Sequence, residues 1–205
     1  MLNKDFKAPF LGNIEIRYRT ETFRRKFWNN SIPVNIEDII DITLKINVIP
    51  VPNLIKFCDT DALIASNWKS IYVDKNKYLD ERYTNRLRFS FAHEIGHFVL
   101  HKEIYKSFSI KSFEDFYKLI DQIPQEQYGY IETQANKFAN YLLIPRDILS
   151  LERNKLITNE KTVDQIIKSK KIDDKTIDSY IAIPLSKIFC VSEDAMEIAL
   201  SDIRS

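Results

Sequence analysis

Three histidines occur in the 205 residues, at 93, 97 and 101, and two of them frame the segment His93-Glu94-Ile95-Gly96-His97. On a helix, residues four apart lie about 40° from each other around the axis and one turn along it. Two imidazoles in that register can close on one metal ion. Glu94, about 100° round from His93, can then reach a water at that ion. Two ligands and a carboxylate base are what metal-assisted hydrolysis needs. The pattern constrains few positions and arises by chance in unrelated proteins, so its surroundings decide its meaning.

Those surroundings are helical and apolar. Arg88-Phe89-Ser90-Phe91-Ala92 leads into the segment and Phe98-Val99-Leu100-His101 leaves it. Phe89, Ala92, Gly96, Val99 and Leu100 share one broad face, and Phe91, Ile95 and Phe98 cover much of the rest. A helix apolar nearly all round is a central one. Buried imidazoles and a buried carboxylate need partners, because an unpaired buried polar group costs about 1–3 kcal/mol and a charge more. A metal ion supplies that partner. Gly96 costs a helix roughly 1 kcal/mol against Ala, which predicts a close approach by another part of the chain.

A catalytic metal site needs a third protein ligand and an open position. His101 lies on the same helix, roughly 6 Å further along the axis than His97, and is set aside as a ligand in favour of a supporting role. Glu132 is the better candidate. It belongs to a second helical pattern, Tyr130 to Pro145, whose inward stripe is Ile131, Ala135, Phe138, Ala139, Leu142 and Leu143. Glu132 falls within that stripe, where a carboxylate is excluded unless paired or bound to metal. The competing reading places Glu132 in a fraying first turn, where the helix dipole favours acidic residues anyway. Glu103, Glu114 and Glu126 are weaker rivals, since none opens a comparable apolar helix.

Taken together, Arg88 to His97, then Glu132-Thr133-Gln134-Ala135-Asn136-Lys137-Phe138-Ala139 and Leu142-Leu143-Ile144-Pro145, resemble the ImmA/IrrE family of zinc metallopeptidases. Ser70-Ile71-Tyr72-Val73-Asp74 resembles that family's strand before the active-site helix. Asn136 and Pro145 fit as well, and no metal or base position departs from the pattern. The resemblance implies one zinc per chain held by His93, His97 and Glu132, with Glu94 as catalytic base. It implies an α+β, zincin-like fold, with a small mixed sheet packed on the active-site helix and helices at the C-terminus. It also implies a bacterial, phage or mobile-element protein that cuts a regulatory protein, typically a helix-turn-helix repressor. The alternative is a zincin-fold binding module that grips such a repressor without cutting it.

Composition is consistent with that class. Hydrophobic residues make up 44% and aromatics 12%, enough for a globular core. With 30 basic and 29 acidic residues the formal net charge is +1, which gives no reason to expect nucleic acid or an anionic membrane as a partner. Cys58 and Cys190 have no metal spacing and read as reduced thiols of a cytoplasmic protein. Charge in Met1-Leu2-Asn3-Lys4-Asp5-Phe6 argues against a signal peptide, and no apolar run approaches the roughly 20 residues that span a bilayer.

Organisation follows from periodicity and breakers. The expected division is a peptidase domain over 1–150 and a helical region over 151–205 packed on it. Residues 14–29 read as an amphipathic helix with a basic solvated face, and Asn35–Lys45 as a helix turning Ile36, Ile39, Ile40 and Leu44 inward. Strands are expected at Ile46–Val51, Ala62–Ala65 and Ile71–Val73. The Ile71–Val73 strand reads equally as an exposed edge for an extended peptide and as an ordinary member of the sheet. The His helix should run from Asp80–Thr84 to His101. A loop is expected over 102–128, with a helix at Ser112–Gln122, and a solvated turn at Lys168–Lys171. Ser186 to Met196 reads as helix, turn, Ser cap, helix. The last helix carries Glu193, Asp194, Glu197 and Asp202 against Arg204, the wrong charge for a DNA reader. Tyr128, Tyr130 and His101 are the sequence-adjacent candidates for stabilising an oxyanion, and spacing selects none of them.

Overall fold

Three strands form the sheet found among the described residues of the computed structural model, which are 6–108, 115, 122–159 and 173–204. They are β1 (Asn47–Val51), β2 (Ala62–Ile64) and β3 (Ser70–Asp74), in the order β1–β3–β2. β1 runs parallel to β3, with Asn47 opposite Ser70 and Val51 opposite Asp74. β2 is antiparallel, with Ala62 opposite Val73 and Ile64 opposite Ile71. The mixed sheet is as expected, and of the two readings of Ile71–Val73 the ordinary sheet member holds and the exposed edge does not. β3 is the central strand, and both of its sides are taken by neighbouring backbone. Pro50, which has no N–H to give, sits on the edge strand β1, the position such a residue tolerates.

Helices make up most of the remainder, so the class is α+β. In chain order they are α1 (Asn13–Phe27), α2 (Ile36–Asp38), α3 (Leu54–Cys58), α4 (Lys75–Tyr78), α5 (Thr84–Leu100), α6 (Lys102–Phe108), α7 (Gln125–Leu143), α8 (Arg146–Asn159), α9 (Asp174–Phe189) and α10 (Glu193–Arg204). The expected helix over Asn35–Lys45 departs from regularity. After Asp38 the chain widens into a π-helical turn at Ile39–Thr43, and this buries Ile36, Ile39 and Ile40 together. Residues 102–108 are helical rather than loop, and Ile104 and Tyr105 are buried there. Seven residues of mixed polarity are too few to show a period. The expected helix at Ser112–Gln122 and turn at Lys168–Lys171 lie outside the described residues, apart from Asp115 and Gln122. At the C-terminus, Ser192 Oγ accepts from Ala195 N–H at 3.2 Å, so the Ser cap of α10 is as expected.

α5 and α7 form the centre. All six residues of the α7 stripe named above are buried. A Cβ built on Gly96 would stand 3.1 Å from both the Cα and the carbonyl oxygen of Ala135, and 3.2 Å from Phe138 Cβ. Gly96 is therefore the close approach that its position predicts, and it sets how near the two helices lie. Arg88, itself buried, ties α5 to both ends of the chain. It donates to Val34 O at 2.6 Å, to Cys190 O at 3.2 Å and to Glu37 Oε2 at 3.1 Å. One cluster of buried apolar side chains runs from Ile16 to Leu200. No helix among the described residues is long and apolar enough to cross a membrane.

Candidate metal centre

The centre is assembled by two helices that Gly96 allows to touch. α5 supplies His93 and His97, one turn apart, and α7 supplies Glu132 across the crossing. The Nε2 atoms of His93 and His97 are 2.9 Å apart. Glu132 Oε2 lies 3.2 Å from His93 Nε2, and Glu132 Oε1 lies 3.4 Å from His97 Nε2. Three candidate ligand side chains thus face one point. Ligands held about 2.0–2.1 Å from one tetrahedral zinc stand about 3.3 Å from each other, so the donor set and its spacing fit such an ion. α7 begins at Gln125, which puts Glu132 about two turns inside the helix. The dipole explanation for an acidic residue there falls away, because it acts only in the first turn.

His93 is oriented by α7 and His97 by the residue that ends α5. His93 Nδ1 lies 2.8 Å from Asn136 Oδ1, an oxygen that can only accept, so the nitrogen carries the hydrogen. His97 points its Nδ1 away from the centre, to His101 Nδ1 at 3.0 Å. His101 therefore stands behind His97 and outside the triangle. Tyr105 packs on the His97 ring with centroids 5.2 Å apart.

Glu94 is buried beside the triangle, and its Oε2 accepts from Ile64 N–H of β2 at 2.7 Å. Burial pushes its carboxyl up to about 7, against the attraction of His93 and the Ile64 bond, which favour the charged form. A carboxylate poised there suits a general base near neutral pH. For His93, burial disfavours charge, but the bond to Glu132 and the nearby Glu94 and Glu132 carboxylates outweigh it and raise the imidazole to about 9. His97 is driven the other way by burial and by the neighbouring His93 and His101, well below the usual range. With no metal, a proton on His93 is thus the cation that the carboxylates demand.

A metal must displace the His93 proton, so binding near pH 7 should release at least one proton, with part of another from Glu94 and from a metal-bound water. Affinity should then rise with pH until about 9, where the proton has left. Calorimetric titration in two buffers of different ionisation enthalpy reads the number directly. A result near zero would show that His93 is not protonated before it binds.

Of the three oxyanion candidates, Tyr130 is half exposed and donates to Glu126 Oε1 at 2.9 Å, away from the centre. His101 is behind His97. Tyr128 bonds Glu132, and burial raises its hydroxyl far enough to keep it a donor. A cavity of about 710 Å³ opens along α7 and α10; Asn136 lines it with Phe89, Thr133 and Ile198, but His93, Glu94, His97 and Glu132 do not. Sequence reasoning did not assign the parts played by Ile64, Gln134 and Asn136. Asn136 carried a usable signal, four residues after Glu132 on the same helix face. Ile64 carried none, because its contact with Glu94 spans 30 residues of chain.

The family model of the IrrE N-terminal-like domain, which describes a family of peptidases, matches residues 69–201. That span contains all the side chains of the centre. No curated protein matches the chain. The chain belongs to the IrrE N-terminal-like peptidase family.

Proposed function

We propose that this member of the family is a zinc-dependent endopeptidase with a zincin-like fold, and that His93, His97 and Glu132 hold the metal while Glu94 is the base. The observation that carries the reading is the triangle of two imidazole nitrogens and one carboxylate, with a second, separate carboxylate poised beside it. When bound, zinc lowers the pKa of a water toward about 7 and polarises the scissile carbonyl. Glu94 accepts the proton of the attacking water and returns it to the leaving amine. His93 and His97 are held in register by Asn136 and His101, so no reorganisation is asked of them during the reaction. Tyr128, whose hydroxyl donates to Glu132, helps to hold that carboxylate toward the metal.

The substrate we propose is a specific regulatory protein, with a helix-turn-helix repressor as the first candidate, which follows from the family resemblance. Expression of the wild type and of Glu94→Gln in the same cells, followed by labelling of new protein N-termini and mass spectrometry, tests this. The expected result is a small set of new termini, dependent on Glu94 and falling in one repressor. Identical termini in both cultures, with the wild type loaded with zinc, would overturn the peptidase reading and favour the binding module.

The acid limb of the reaction follows from Glu94. The base must be ionised, so kcat/KM should fall about tenfold per pH unit below about 7. A bound cation can move that limb only to lower pH. A pH profile with an acid limb above 7 would assign the base elsewhere.

A further inference from the structure

We infer that His101 is a positioning residue: with Gln134 and the backbone of Pro9, it fixes His97 in the one tautomer whose Nε2 is bare and ready for a metal. The purpose of this relay rests on the metal reading above, but its existence rests on hydrogen-bond geometry alone.

Pro9 sets the direction of every link. Its carbonyl oxygen can only accept, and Gln134 Nε2 lies 2.8 Å from it. The amide of Gln134 is therefore turned with its nitrogen to Pro9 and its Oε1 to His101 Nε2, 2.9 Å away. An amide oxygen also only accepts, so His101 Nε2 carries the hydrogen. A neutral imidazole has one N–H, which leaves His101 Nδ1 as an acceptor. His97 Nδ1, 3.0 Å away, must then be the donor. With its hydrogen on Nδ1, His97 presents a lone pair at Nε2, the atom facing His93 and Glu132. Every side chain in the relay is buried: His97 is 2% exposed, His101 1% and Gln134 6%. Water is poorly placed to substitute for a link among these three side chains; the bond to Pro9 is part-buried.

Metal-binding histidines commonly give their second N–H to a carboxylate or a carbonyl, which fixes the tautomer by itself. Here the acceptor is another imidazole, whose own tautomer is ambiguous. The further links through Gln134 to Pro9 remove that ambiguity. The segment holding Pro9 is itself tied to α7, since Ala8 N–H donates to Gln127 Oε1 at 2.8 Å. A stretch of chain with no motif of its own thus acts on the metal centre through its backbone.

Three variants test the relay: His101→Leu and Gln134→Leu, which break it, and His101→Asn, whose Oδ1 can stand where His101 Nδ1 stands and accept from His97. Two quantities are read on each full-length protein. One is the His97 tautomer in the metal-free state, from its ring ¹⁵N shifts at a fixed pH above 9, where His93 has lost the proton that would otherwise make His97 Nε2 an acceptor. The other is the zinc dissociation constant, by competition with a chromophoric chelator. The relay predicts Nδ1–H on His97 in the wild type and in His101→Asn. It predicts a shift toward Nε2–H in both Leu variants, with zinc about 10–100-fold weaker. Melting of the metal-free proteins separates loss of fold from loss of tautomer. His97 carrying Nε2–H in the wild type, or Leu variants that keep both tautomer and affinity, would overturn the relay. A wild type that binds no zinc would overturn the metal reading instead, while the metal-free tautomer would still decide the relay.

Discussion

Glu94→Gln is expected to lower the rate of substrate cleavage by about 10²–10⁴-fold, the usual contribution of a positioned general base, while zinc content and partner binding stay as in the wild type. The substitution is nearly isosteric, and a Gln Oε1 can still accept from Ile64 N–H, as the Glu94 Oε2 does at 2.7 Å. What is lost is the ability to take a proton. The fold should not suffer. A buried carboxyl whose ionisation is opposed by burial contributes little to stability, so the melting temperature should be unchanged or slightly higher. Cleavage assays on the substrate found by N-terminal labelling, with metal analysis of the same samples, check both halves. A variant that cleaves at the wild-type rate would remove Glu94 from the mechanism. A variant that also loses zinc would mean that Glu94 is a ligand.

The second large effect is structural. Gly96→Val should destabilise the protein by about 3 kcal/mol or more, because even a lone Cβ at that position meets the Ala135 backbone at 3.1 Å. For a chain of this size that is a fall in melting temperature of roughly 6–12 °C. Zinc affinity should fall with it, since pushing α5 from α7 moves His93 and His97 away from Glu132. The informative control is Gly129→Ala, in α7. Nothing lies within 4 Å of a Cβ built there, so only helix propensity acts, and the change should stabilise by roughly 0.5–1 kcal/mol. Thermal melts of the two variants should therefore move in opposite directions. Equal and small shifts would show that the α5–α7 crossing has slack, and that Gly96 does not set it.

The centre was more legible than the fold around it, for physical reasons. α5 is long and apolar nearly all round and α7 is long and periodic, so the apolar stripe that holds Glu132 could be read directly, and all of its apolar members are buried. What periodicity could not settle was whether Glu132 sat in a first turn. The helix start at Gln125 answers that, and the residues before Tyr130 carry too little apolar pattern to announce it. Sheet order was illegible at Ile71–Val73, because a short apolar run reads alike as an edge or a centre, and pairing is decided by strands distant in sequence. The short α6 had no period to show. The relay through Gln134 and Pro9 joins residues 125 positions apart, and no local pattern encodes such a contact.

The family match covers the centre and the C-terminal helices, and the N-terminal part outside it is not a passive addition. α1 packs its Phe23 against Phe138 of α7, with ring centroids 5.8 Å apart. Pro9 orients Gln134. Both contacts bear on the helix that carries Glu132.

The most direct test of the central claim is the metal content of purified wild type and Glu132→Ala, each incubated with zinc, desalted and measured by mass spectrometry. The account predicts about one zinc per chain in the wild type, and little or none in the variant, because His93 and His97 alone leave the triangle open on the α7 side. Full zinc in Glu132→Ala, or none in the wild type after zinc has been supplied, would contradict it.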